Sequence, residues 1–94
     1  MGTVGAVLSP AERSEIAVQE VRAVLSDADP EGLLGLGAPA DEYDDLVLRV
    51  AGVLLRNGAI EADALFGSVE DWRGEIARDE VVVRLRSIQR RVAE

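Results

Sequence analysis

Leu46-Val47-Leu48-Arg49-Val50-Ala51-Gly52-Val53-Leu54-Leu55 is the stretch on which the fold turns. Read as a strand, it puts a buried β-run in the middle of the chain. Read as a helix, it makes the protein all-α. The run amounts to about three helical turns, both ends carry helix-terminal residues, and no neighbouring segment alternates with a two-residue period. Those features favour the helix. It is expected to begin between Asp41 and Asp44, where acids suit the positive end of the dipole, and to close at Arg56, with Gly58 as a left-handed cap after Asn57. Leu46, Val47, Val50, Ala51 and Leu54 share one face, while Leu48, Val53 and Leu55 extend the apolar surface around the rest. A helix that is apolar nearly all round is normally the central one.

Upstream, Ser9-Pro10-Ala11-Glu12 is a helix start: a capping serine, proline at the first helical position, and a glutamate three residues on to complete a capping box. The helix it opens carries Ile16, Val21, Val24, Leu25 and Ala28 at helical spacing. It should end near Ser26 to Ala28, because Pro30 disfavours helical geometry at Asp29. Met1 to Leu8 reads as a frayed tail. Downstream, a third helix is expected from Glu61 to Trp72, burying Ala62, Leu65, Phe66, Val69 and Trp72, with Gly67 a weak point and Gly74 its exit. A fourth runs from Asp79 to Val92, with Val81, Leu85, Ile88 and Val92 as its seam and Arg84, Arg86, Arg90 and Arg91 facing water. The expectation is one all-α domain over residues 1–94: a compact four-helix domain with an ordered Gly/Pro/Leu loop packed on the core.

That loop, residues 29–40, joins the first two helices. Leu33, Leu34 and Leu36 are too apolar for a solvated linker, so at least two of them should be largely buried. Asp29-Pro30-Glu31-Gly32 reads as an Asx-type turn. The same segment, taken from Asp27, begins like a calcium loop, but the twelfth place, where a bidentate glutamate belongs, is Ala38.

Composition narrows function. With 94 residues, 48% hydrophobic but only 3% aromatic, an aliphatic core is expected. The chain has no cysteine and no histidine, so disulfides, thiolate chemistry and the commonest general base and metal ligand are all absent. No catalytic residue, cofactor-binding residue or metal ligand is therefore assigned, and no cofactor is expected. All ten basic residues are arginine, as a GC-rich bacterial coding sequence would give. The net charge of −8 is carried by residues 1–45, which hold ten acids against Arg13 and Arg22, whereas residues 78–94 are mildly basic. This distribution disfavours nucleic acid, which needs a concentrated basic footprint. Nothing near the first residue resembles a signal or a membrane span, so a soluble cytoplasmic protein is expected.

The acids Asp41, Glu42, Asp44 and Asp45 surround the only tyrosine, Tyr43. These five form the candidate partner surface. As alternatives, the acids are helix-start residues, and Tyr43 buries its ring and donates its hydroxyl to the packed loop.

Asp29-Pro30-Glu31-Gly32, Gly37-Ala38-Pro39 and Asp41-Glu42-Tyr43-Asp44, set between helices in this order, resemble a family of small bacterial proteins, domain-of-unknown-function family 1871. Its members carry Asp-Pro-Ile-Gly and Pro-x-Asp-Glu-Tyr-Asp, so Glu31 stands where they have isoleucine. The resemblance spans residues 16–92 and implies a compact all-helical domain, with no activity attached. The functional expectation is a non-enzymatic, acidic protein–protein interaction module, such as an immunity or regulatory partner of a basic protein. A helical homo-oligomer pairing through helix two or helix four is the alternative, and a small enzyme ranks third.

Overall fold

The computed structural model describes residues 9–39, 41–67, 72–74 and 76–93. Four α-helices follow one another, α1 (Pro10–Ala28), α2 (Asp44–Leu55), α3 (Ala62–Phe66) and α4 (Arg78–Ala93), and the described residues contain no strand. The protein is all-α. The tail at residues 1–8 and Val69 lie outside the described residues.

Local chemistry explains the start of α1. Ser9 Oγ accepts the Glu12 N–H at 3.1 Å, and Glu12 Oε1 accepts the Ser9 N–H at 3.0 Å, which closes the capping box with Pro10 at the first position. Ala17, Val21, Leu25 and Ala28 then form a fully buried row, with Ile16 and Val24 packed at its margins.

That row makes α1 the central helix. It packs along both α2 and α4, which meet each other over a shorter stretch, while α3 bears on α4. The expectation that α2 is central is thereby corrected. Val47, Val50, Ala51 and Leu54 of α2 are buried, but Leu48 is 58% exposed and Leu46, Val53 and Leu55 are only partly covered. Of the apolar excess of α2, Leu48 alone faces outward.

The end of α2 also differs from expectation. Asn57, with φ 57°, takes the left-handed position itself. Its N–H donates to the Leu54 carbonyl at 3.1 Å, and the Gly58 N–H donates to the Val53 carbonyl at 2.9 Å, the paired bonds of a Schellman ending. Gly58 is needed for room: a Cβ there would lie 2.9 Å from Val53 Cγ1.

α3 is shorter than expected, ending at Phe66, and residues 72–74 are not helical. Their contacts give the reason. The Arg73 N–H donates to the Pro30 carbonyl at 2.8 Å, the Trp72 indole N–H donates to the Ile76 carbonyl at 2.9 Å, and a Cβ on Gly74 would collide with the Ala28 carbonyl oxygen. The chain must leave the helix to lie against the end of α1. α4 runs as expected, burying Val81, Leu85, Ile88 and Val92, with Val82 added. Two of its polar side chains tie the far end of the molecule together. Arg86 Nη2 donates to the Ile60 carbonyl at 2.9 Å, and Gln89 Nε2 donates to the Gly58 carbonyl at 2.9 Å and the Leu54 carbonyl at 3.4 Å. Arg91 pairs with Glu20 of α1 at 2.7 Å. Arg84, Arg86, Arg90 and Arg91 are exposed, as expected, but Arg86 and Arg91 hold the fold as well.

Candidate functional site

The loop between α1 and α2 is organised by Asp29. This residue ends α1 in the left-handed conformation, φ 49°, one of the few non-glycine types that visits it readily. Its N–H donates to the Leu25 carbonyl and its own carbonyl accepts the Gly32 N–H, each at 2.8 Å. The turn thus closes through the backbone. The carboxylate, expected to make a short Asx turn, reaches further: Oδ1 accepts the Leu34 N–H at 3.0 Å and Oδ2 the Gly35 N–H at 2.9 Å. Both oxygens are engaged within the loop.

Tyr43 completes the cluster. Its ring is buried, 5% exposed, and its hydroxyl donates to Asp29 Oδ1 at 2.6 Å while accepting the Glu31 N–H at 3.0 Å and the Leu33 N–H at 3.3 Å. Burial acts to raise the Asp29 pKa, but the Tyr43 hydroxyl and the Leu34, Gly35 and Leu33 N–H groups outweigh it, and the carboxyl sits below its ordinary value. Burial, with the Asp29 carboxylate bonded to it, pushes the Tyr43 hydroxyl up. The tyrosine belongs to the interior. As a surface aromatic beside the acids it is corrected, because a hydroxyl with three internal partners and a covered ring cannot also meet a partner.

Of the candidate acids, Asp41, Glu42 and Asp45 are exposed. Asp44 is half-buried and pairs with Arg22 of α1 at 3.2 Å. None caps α2 through its side chain, although Asp44 and Asp45 occupy its first turn, where negative charge favours the dipole. Among the described residues no three carboxylates converge as a metal cage. The acids therefore form an outward surface above an internal clamp, and sequence reasoning merged the two. It missed Asp29 as the hub, since bonds to positions five and six residues ahead follow no local motif.

The loop packs on the core through two of its three leucines, as expected, and the third departs from the pattern. Leu33 and Leu34 are half-buried against the core, while Leu36 is 84% exposed and the fully buried loop residue is Pro30. A single 3-10 turn, Leu34–Leu36, carries Leu36 outward. No described helix is long and apolar enough to cross a membrane. No family model matches the chain, and neither does any curated protein or solved structure.

Proposed function

We propose that this chain is a non-enzymatic interaction module, a small acidic cytoplasmic protein that docks on a basic protein, as an immunity or regulatory partner does. The observation that carries the reading is the charge pattern around the Asp29–Tyr43 clamp. From Ala23 to Leu48 there are seven acids and no basic residue, and Asp41, Glu42 and Asp45 stand exposed where that stretch enters α2. Such a surface attracts a basic partner over a Debye length of about 8 Å at physiological salt and repels nucleic acid and anionic lipid. Kinship with family 1871 is part of the proposal: the two signatures that suggest it, at Asp29–Gly32 and Asp41–Asp44, are the two sides of one hydrogen-bonded cluster.

Asp45→Lys tests the surface better than a change at Asp44, whose ion pair with Arg22 would be lost at the same time. With a partner captured from the native host, Asp41→Lys and Asp45→Lys should slow association severalfold and flatten its salt dependence, because exposed charges act mainly on the on-rate. The reading is wrong if these reversals leave binding intact while replacement of Arg84 and Arg90 abolishes it.

A second reading has its own observation. Leu48 on α2 and Val83 on α4 are 58% and 57% exposed, on the two helices through which a homo-oligomer would pair. Sedimentation equilibrium separates the readings: a dimer that Leu48→Glu or Val83→Glu dissolves favours self-association.

A further inference from the structure

Leu36 is the most exposed large apolar side chain among the described residues, at 84%, and it stands on a fixed part of the chain. Asp29 holds the two residues before it through the Leu34 and Gly35 N–H groups. The Leu36 N–H donates to the Leu33 carbonyl at 3.1 Å, the Gly37 N–H to the Leu34 carbonyl at 3.1 Å, and the Ala38 N–H to the Leu33 carbonyl at 3.0 Å. Gly37 turns the chain away in the left-handed region, φ 97°, and a Cβ there would meet nothing within 4 Å. The flanking glycines leave the leucine uncovered and let another surface approach the backbone closely. A leucine on a loose loop loses freedom when it is buried in a complex; here that ordering is already done.

We propose that Leu36 is a docking knob, held out on the turn that Asp29 locks, which enters an apolar pocket bordered by arginine or lysine on a basic partner protein. The proposal rests on the acidic-surface reading and supplies the anchor that the buried Tyr43 cannot. Charge selects the occupant. Glu31, Asp41 and Glu42 are exposed on this stretch against one base that the fold brings to the loop, Arg73, bonded through its N–H to the Pro30 carbonyl, so the matching face of a second copy would still meet net like charge. An arginine- or lysine-rimmed pocket answers the acids and the apolar tip together. Leu48 and Val83 are less exposed and sit on helix faces, and Val83 adjoins Arg84.

The test places the photo-crosslinking residue p-benzoylphenylalanine at position 36, and separately at positions 48 and 83, in the full chain within the native host. Crosslinking from position 36 into an apolar pocket with basic neighbours on another protein is the expected result. That protein, purified, should bind the Leu36→Ser variant at least about tenfold more weakly, the effect of burying one leucine side chain, while the variant's melting temperature stays that of the wild type. Crosslinks from position 48 or 83 but not 36, crosslinks from 36 to a second copy, or none at all overturn the knob. The two proposals fail separately. Binding that drops with Leu36→Ser and ignores Asp41→Lys and Asp45→Lys removes the acidic surface and keeps the anchor; the reverse pattern removes the anchor alone.

Discussion

Replacing Phe66 with alanine is expected to lower the folding free energy by about 3–5 kcal/mol, the range for truncating a buried phenylalanine. A domain of this size has about 5–15 kcal/mol in all, so the variant should unfold at a much lower urea concentration than the wild type. Phe66 is fully buried on a helix of five residues, far too short to be stable by itself. What keeps α3 in place is its side-chain anchorage together with the bonds from Arg49 Nη2 to the Leu65 carbonyl at 3.1 Å and from Arg86 to the Ile60 carbonyl. The ring also meets Trp72 edge-to-face, centroids 5.3 Å apart and planes at 65°. Trp72 is the only tryptophan, so urea unfolding followed by its fluorescence reads the change directly. Phe66→Leu, which keeps most of the volume, should retain most of the stability. A loss below about 1 kcal/mol for Phe66→Ala would mean that α3 is not anchored as described.

Breaking the Asp29–Tyr43 cluster should have the next largest effect. Asp29→Ala leaves the Leu34 and Gly35 N–H groups and the Tyr43 hydroxyl without their acceptor, and is expected to cost about 2–4 kcal/mol. Tyr43→Phe should cost less. The double variant should lose less than the two changes summed, because both remove the same bond; full additivity would show that the residues do not act together. The pH dependence follows from the signs. Asp29 is held below its unfolded value of about 4, so its contribution is present above that value and disappears as pH falls through the lower folded pKa. Tyr43 is held above its unfolded value of about 10, so its contribution is present below that value and disappears as pH rises through the higher folded pKa. Denaturant midpoints should therefore show a shallower acid limb in Asp29→Asn and a shallower alkaline limb in Tyr43→Phe.

These residues also show where sequence reading succeeds and stops. The helix start at Ser9–Glu12 was legible because both partners of the capping box lie within four positions. The seam of α4 was legible because it is a period. The centrality of α1 was not, since Ala17 and Ala28 weigh little on any hydropathy scale and matter only once two helices lie against them. Apolarity predicted burial for Leu36, whereas its position is set by a carboxylate seven residues earlier. For Tyr43 the sequence left ring-in and ring-out open; the choice depends on the unpaired N–H groups of Glu31 and Leu33, which exist only in the folded loop.

The row Ala17, Val21, Leu25 and Ala28 has a further consequence. Because α2 and α4 both lean on this one helix, detaching either of them wets the wall on which the other depends. Neither pair can rest as a stable half. The helices should then open in a single all-or-none step, and a slowly exchanging fragment with only α1 and α2 in place should never accumulate.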